Sequence, residues 1–169
     1  DDDYYPLTYV EEMAKAWGKS KPDIIGVRTT TYYHIVSNRF VNMSPSHCSA
    51  FCTGISKIAV YKVGESSNQY YDIAIWKANK GEQVDIEHPP LGIKHGIGRC
   101  GGVGHNPDSP LYMKNIDLDY SFLKSRVDQS SYKFYSKLAG NNITAIIVNY
   151  ETPELVERAV KSLKYDRLK

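Results

Sequence analysis

The chain has 169 residues, of which 41% are apolar and 12% aromatic, and its 21 basic and 19 acidic side chains give a formal net charge of +2. The near balance of charge excludes a general nucleic-acid binder, and the apolar content excludes a disordered chain. No apolar run approaches the roughly 18 residues that a membrane-spanning helix needs. One globular domain with an ordinary core is therefore expected.

The first part of the chain predicts a helix followed by three extended segments. Pro6 suits the first turn of a helix, and Gly18 suits its end. The apolar positions that recur at helical spacing between them are Leu7, Val10, Met13, Ala14 and Trp17. Buried, β-branched and aromatic residues then predict strands over 23–27, 29–36 and 40–43.

The middle of the chain predicts a mixture of loops, strands and one helix. The predicted elements are a polar loop over 44–53, a strand-like AVYKV at 59–63, a helix over 71–78 closed by Gly81, and strands over 84–88 and 91–95. Five glycines and two prolines make Gly96 to Pro110 a loop. A loop of that length inside a compact domain is usually functional.

The last part of the chain predicts two short helices and then a strand–helix unit. The helices cover 118–127 and 131–138, and a linker at 140–142 separates them from a buried strand over 143–148. Thr152 and Pro153 then suit the cap and first position of a helix. Strands alternating with helices indicate an α/β fold, in which ligands bind at the carboxyl ends of strands.

Three groups of residues in this pattern carry possible chemistry. Asp1–Asp3 could aim oxygens at one hard divalent cation, or could be a solvated acidic segment that favours the following helix. Asp72 at a helix start could serve as a general base, or could only favour the positive end of that helix. His95 enters the glycine-rich loop and could bind a metal or a phosphate, or could be a surface histidine.

The cysteines argue against a disulfide framework. There are three, Cys48, Cys52 and Cys100, and an odd count without regular spacing does not pair. A zinc site with His47 and His105 is conceivable, but the paired short spacing of such sites is missing. Buried thiols in a reducing, intracellular setting are the simpler interpretation.

The segment from Ile143 to Leu163 resembles the opening strand and helix of inverting glycosyltransferases with the GT-A fold. The match reads IIVNYETPEL, and it departs at Glu151, where the family often has Asn. In that family the turn contacts the nucleotide base and ribose of the donor. The resemblance therefore implies donor-nucleotide binding by Val148, Asn149, Tyr150 and Glu151.

Earlier segments resemble other parts of the same family, in the family's order. Asp1 to Pro6 is similar to the metal-binding DxD region, which implies that Asp1 and Asp3 hold Mn²⁺ or Mg²⁺ against the donor diphosphate. The helix beginning at Asp72 resembles the one that carries the catalytic base, although the family usually has an acidic pair there. The strand that ends at His95 resembles the late strand whose histidine completes the metal site.

The resemblance implies a GT-A-like, Rossmann-like mixed sheet flanked by helices, incomplete relative to a full catalytic domain. Residues 1–139 correspond to the C-terminal part of such a domain, with metal motif, acceptor side and lid loop, and 140–169 to the first strand–helix unit of a nucleotide-binding domain. This order is expected if the chain is a piece of a protein with two successive transferase domains. It is also expected if the domain is rearranged and its last unit pairs as the family's first strand. In either arrangement the chain by itself could be inactive.

The implied activity is metal-dependent, inverting transfer of a sugar from a nucleotide-diphosphate donor, expected to be a UDP-sugar, to a hydroxyl of a saccharide or lipid-linked acceptor. Asp72 would be the base, and Trp76, Gly101, Gly102 and His105 would lie on the acceptor side or in a lid. The expected role is surface polysaccharide synthesis in the cytoplasm, at the inner face of a membrane. Two alternatives stay open: a non-catalytic α/β binding or assembly module, and an NAD-using, ADP-ribosyltransferase-like toxin domain.

Overall fold

The computed structural model describes residues 3–43, 46–62, 71–96 and 115–139. In chain order the elements are α1 (Tyr9–Ser20), β1 (Ile24–Val27), β2 (Thr30–His34), β3 (Arg39–Met43), a 3₁₀ turn (Ala50–Cys52), β4 (Thr53–Ile55), α2 (Lys57–Lys62), α3 (Tyr71–Ala78), β5 (Gly81–Val84), β6 (Leu91–Lys94), α4 (Ser121–Arg126) and α5 (Gln129–Ala139). The predicted α/β class with mixed sheets is confirmed. The predicted loop over 97–110 and the strand–helix unit of 140–169 lie outside the described residues.

The strands form two three-stranded sheets whose members are interleaved along the chain. Their strand orders are β4-β1-β5 and β3-β2-β6, and in each the central strand has one antiparallel and one parallel neighbour. Only Arg28 and Thr29 separate β1 from β2, whereas the longer segment 85–90 separates their parallel partners β5 and β6. Both central strands are buried at every position, as expected for strands covered on both faces.

Helix α1 is present, but the predicted buried face is wrong. Met13 is buried, and Tyr9 and Ala16 pack beside it against the core of the first sheet. Val10 is instead 75% exposed and Leu7 is fully exposed. Two apolar stripes with the same helical period run along this segment, and contact with the sheet selects the stripe of Tyr9, Met13 and Ala16.

The ends of two predicted elements also differ in the structure. Gly18 does not end α1, which continues to Ser20 and closes at Lys21. Lys21 has a φ of 47°, and its N–H donates to the carbonyl of Trp17. Gly81 does not close α3 but opens β5, because a Cβ at that position would overlap the ring of Trp76.

Three further predictions in the middle of the chain need correction. The strand-like AVYKV lies mostly in α2, where buried Ala59 packs with Ile24 and Ile75. The predicted loop over 44–53 contains the 3₁₀ turn, and its last residue begins β4. The strand predicted over 84–88 is shifted to Gly81–Val84, where it pairs with β1. In each case pairing or packing with a distant segment overrides the local pattern.

The strands predicted at 23–27, 29–36, 40–43 and 91–95 and the two helices predicted after residue 117 are confirmed. Those two helices, α4 and α5, cover one face of the second sheet. The buried members of that core are Tyr33, Ile35, Leu91, Ile93, Leu123, Val127 and Tyr135. Among the described residues, no helix combines the length and the apolar character needed to cross a bilayer.

A buried carboxylate joins α4 to the central strand of the second sheet. Asp117 is 3% exposed and accepts hydrogen bonds from the backbone N–H groups of Phe122 and Leu123 at 2.9 and 3.0 Å. The hydroxyl of Tyr33 donates to the same carboxylate at 3.1 Å. Burial first, and then the charge of Asp117, raise the pKa of Tyr33 well above its usual value. The phenol therefore stays protonated and remains a donor.

We predict that Gly26→Ala destabilises the protein by about 1–3 kcal/mol, because a Cβ there would lie 2.5 Å from Cβ of Cys48 and 2.8 Å from the ring of Trp76. The matched control is Gly18→Ala in α1, where nothing lies within 4 Å of the new Cβ. That change is expected to stabilise the helix by about 0.5–1 kcal/mol. Urea unfolding measures both free energies, and equal effects of the two substitutions would contradict the packing at Gly26.

We predict that Asp117→Ala costs about 3 kcal/mol of unfolding free energy, because three donors lose their acceptor inside the core. Tyr33→Phe removes one of those donors and is expected to cost about 1 kcal/mol. The control is Asp119→Ala, which removes an exposed carboxylate that accepts one backbone N–H, from Ser121. Urea unfolding should rank the losses in the order Asp117, Tyr33, Asp119, and a different order would reject this role for Asp117.

Candidate functional site

Tyr32 in β2 is the centre of a polar group at the end of the second sheet. Its register partner in the parallel strand β6 is Gly92, where a Cβ would lie 2.6 Å from the tyrosine ring. The missing side chain lets the ring lie across the strand. Lys94, two residues further along the same face, holds its ammonium 5.1 Å from the ring centroid. The tyrosine hydroxyl forms a hydrogen bond of 2.6 Å with Ser49.

Asp3 reaches this group from the segment before α1. Tyr4 pairs with Leu91 through two backbone hydrogen bonds of 2.9 Å, so the segment runs alongside β6. The carboxylate of Asp3 accepts the N–H of Ile93 at 2.9 Å and lies 3.7 Å from the ammonium of Lys94. The side chains of Asp3 and Lys94 are 10% and 7% exposed. The predicted metal ligand is therefore buried beside a lysine at the carboxyl end of β6.

Asp72, the predicted base, lies in the first turn of α3 beside a histidine. One of its oxygens accepts the N–H of Ile73 at 2.9 Å, and the other lies 3.9 Å from Nε2 of His47. Each of the two side chains is about a quarter exposed. Asp72 is thus held in one orientation and remains open to solvent.

The pKa of Tyr32 connects the two acidic groups. Burial raises it most, the hydrogen bond with Ser49 lowers it, and the charges of Cys52, Asp72 and Asp3 raise it further, so that it reaches about 12. Both predicted acidic residues therefore act on one phenol. The two residues are far apart in the sequence, and the charge of each acts on Tyr32.

Buried contacts fix the loop that carries His47 and Ser49. Cys48 is fully buried against Gly26 and the ring of Trp76. The indole N–H of Trp76 donates to the hydroxyl of Thr53 at 3.1 Å, and that hydroxyl donates to the carbonyl of Ser49 at 2.9 Å. Trp76, predicted on the acceptor side or in a lid, packs over Gly26 and ties α3 to this loop.

The predicted burial of the thiols is confirmed for two of the three. Cys48 and Cys52 are free and buried, and Cys100 lies outside the described residues. Burial first, and then the charge of Cys52, raise the pKa of Cys48 to about 12. Burial also raises the pKa of Cys52, whose thiol donates to the carbonyl of Ser49 at 3.3 Å. Both thiols therefore serve in packing and stay protonated at neutral pH.

Only two of the three predicted metal ligands, Asp3 and His95, lie within the described residues. His95 directly follows β6, so it belongs to the same strand end as Asp3, and Asp1 lies outside the described residues. Within the described ranges no three His, Cys, Asp or Glu side chains are grouped closely enough to hold a metal ion. A metal on Asp3 would need a further ligand, which the sequence prediction supplies in Asp1.

The remaining predicted site residues also lie outside the described ranges. They are Gly101, Gly102 and His105 of the predicted lid, and Val148, Asn149, Tyr150 and Glu151 of the predicted donor-nucleotide turn. Their roles stay predictions.

Sequence reasoning assigned no site role to His47, Ser49 or Lys94. His47 and Ser49 belong to SHCSAFC, which was considered only as a zinc ligand set, and Lys94 directly precedes the predicted ligand His95. These residue types can bind ligands, but only the tertiary structure shows which residue each of them contacts.

An open cleft of about 440 Å³ adjoins Asp3 on the outer side of the N-terminal segment. Its lining combines aromatic rings with polar groups, including Tyr4, Tyr5, His88 and Tyr135. Such a mixture suits a sugar ring, which has apolar faces and a rim of hydroxyl groups.

The chain matches no protein-family model, no curated protein and no solved structure. The chemistry of the site is therefore argued from its own geometry.

We predict that the two buried thiols react only when the protein unfolds. In a Cys100→Ser variant, an aromatic disulfide reagent at pH 8 should leave Cys48 and Cys52 unlabelled in the native protein and label both in denaturant, because burial excludes the reagent and suppresses the thiolate. Adding Ser125→Cys in the exposed part of α4 provides a thiol that should react at once. Rapid native labelling of Cys48 would contradict the burial of this loop.

Proposed function

We propose that this chain carries the metal and base side of an inverting glycosyltransferase of the GT-A type. The reaction would move a sugar from a nucleotide-diphosphate donor to a hydroxyl of a saccharide or lipid-linked acceptor. The observation that supports it is the position of Asp3 at the end of β6, where its carboxylate accepts the N–H of Ile93 and lies 3.7 Å from the ammonium of Lys94. Ligands of open α/β sheets bind at that edge.

Asp72 is the proposed general base. Its carboxylate is oriented by the N–H of Ile73 and the ring of His47, and about a quarter of it is exposed, so an acceptor hydroxyl can reach it. Removing the proton from that hydroxyl while its oxygen attacks the anomeric carbon in line with the departing diphosphate inverts the configuration there. The base must be held in place but not buried, and Asp72 meets both conditions.

Asp3 is the proposed ligand for Mn²⁺ or Mg²⁺, with Asp1 and His95 as its partners. A carboxylate oxygen is the ligand type that these hard cations prefer, and Asp3 is fixed at the end of β6 by the N–H of Ile93. When bound, the cation would neutralise the charge that develops on the leaving diphosphate. Among the described residues Asp3 supplies one such oxygen ligand, and Asp1 would have to complete the set.

The cleft beside Asp3 is the proposed place of the acceptor. It is open, about 440 Å³ in volume, and lined by tyrosines that can pack against sugar faces. An acceptor lying there would extend along the N-terminal segment towards Asp3. This placement agrees with a saccharide or lipid-linked acceptor, since neither needs an enclosed pocket.

We predict that the full chain binds UDP in the presence of Mn²⁺, that removing Mn²⁺ abolishes binding, and that Asp3→Asn weakens it at least about tenfold, as expected when a metal ligand is lost. The matched control is Asp72→Asn, the same change from acid to amide at the proposed base. It should leave UDP affinity within about threefold of the wild type, because the base acts on the acceptor and not on the diphosphate. Isothermal titration calorimetry measures all four cases.

The other possible functions give different results in the same experiment. Binding of UDP that does not depend on the metal, or no binding, would favour a non-catalytic α/β module. Release of nicotinamide on incubation with NAD would favour the ADP-ribosyltransferase-like alternative. Equal losses for Asp3→Asn and Asp72→Asn would reject the separate roles given to these two carboxylates.

A further inference from the structure

Lys94 is a buried cation with an incomplete set of partners. The residue is 6% exposed, and its ammonium lies 5.1 Å from the centroid of the Tyr32 ring and 3.7 Å from the carboxylate of Asp3. That separation is longer than the 2.7–3.2 Å of an N–H···O hydrogen bond. Over the described ranges, Asp3 is the one anionic group within ion-pair distance of this ammonium.

Such an arrangement is costly unless a ligand completes it. An ammonium has three N–H donors and is strongly hydrated in water, so burying it without acceptors is unfavourable. Asp3 offers only partial compensation, because the same oxygen that lies near Lys94 already accepts the N–H of Ile93. The ammonium therefore has capacity for further acceptor oxygens.

We propose that Lys94 binds the diphosphate of the nucleotide donor. The inference rests on the proposed function and adds a second positive group to it. Phosphate oxygens would accept from the ammonium of Lys94, while the carboxylate of Asp3 turns from the lysine to the divalent cation. Without ligands, Asp3 and Lys94 neutralise each other; with both ligands, each gains an opposite charge of its own.

This exchange of partners couples the two binding events. A divalent cation on Asp3 by itself is repelled by the neighbouring ammonium, and a diphosphate on Lys94 by itself is repelled by the neighbouring carboxylate. When both bind, the attraction of Lys94 to the diphosphate and of Asp3 to the cation offsets both repulsions. The metal and the diphosphate should therefore strengthen each other's binding through this pair as well as through their direct contact.

The test compares wild type with Lys94→Met, which keeps an unbranched apolar side chain beside Tyr32 and removes the charge. Isothermal titration with UDP and Mn²⁺ should show an affinity about 10–100-fold lower in the variant, as expected for the loss of a charge-assisted hydrogen bond. Affinity for UMP, which has no second phosphate, should fall by less. Affinity for Mn²⁺ alone should rise, because the competing ammonium is gone.

Two further variants protect the test against misfolding and nonspecific charge effects. Asp3→Asn/Lys94→Met removes both buried charges, so no carboxylate is left unpaired, and it should bind neither Mn²⁺ nor UDP. Lys124→Met in α4 removes an exposed lysine and should change none of the affinities. Circular dichroism and urea unfolding establish that each variant is folded before titration.

Titration with inorganic pyrophosphate in the presence of Mg²⁺ separates this inference from the proposed function, because it presents the diphosphate without the nucleoside. If wild type binds pyrophosphate, Lys94→Met does not, and neither binds UDP with Mn²⁺, the anion site stands and the transferase proposal fails. If both proteins bind UDP with Mn²⁺ within threefold of each other, the role of Lys94 is overturned and the transferase proposal stands. If wild type binds neither probe, both are overturned.

Discussion

The site depends on the contact between the ring of Tyr32 and the backbone at Gly92. The two residues are register partners in parallel strands, and the ring occupies the space that a side chain at Gly92 would fill. The hydroxyl of the ring so placed bonds to Ser49, and the ammonium of Lys94 lies 5.1 Å from the ring centroid. A larger residue at Gly92 would displace the ring and with it the contacts with Ser49 and Lys94.

Adjacent residues of β2 illustrate how burial can serve structure or ligand binding. Tyr33 donates to Asp117, whose two oxygens also accept backbone N–H groups at the start of α4, so that buried charge is fully satisfied. On the other face of the strand, beside Tyr32, the ammonium of Lys94 lies 3.7 Å from the carboxylate of Asp3, beyond hydrogen-bond distance. The first arrangement holds a helix in place, and for the second we propose the binding of a metal and an anion. Satisfaction of hydrogen bonds, more than burial, distinguishes the two roles.

Close packing against the first sheet fixes the position of the loop that carries His47 and Ser49. Trp76 packs over Gly26 and holds Thr53, while Cys48 lies beneath it with no exposed surface. Because His47 and Ser49 flank Cys48, the same packing fixes the groups that meet Asp72 and Tyr32. Gly26 is needed because Cys48 and Trp76 approach its backbone closely, and Cys48 acts as a small apolar side chain.

The sequence by itself determined the α/β class and the strands β1, β2, β3 and β6, since these follow from local composition and periodicity. It also predicted chemical roles for Asp3 and Asp72, and these roles stay predictions. Only the tertiary structure decided that Met13 rather than Val10 faces the core, because a helical period does not specify which of two apolar stripes is buried. It also decided that AVYKV lies mostly in a helix and that Gly81 opens a strand, since both depend on contacts with Ile24 and Trp76. Lys94 and His47 entered the site for the same reason: their partners, Asp3 and Asp72, are brought to them by strand pairing and by buried packing, which no local pattern records.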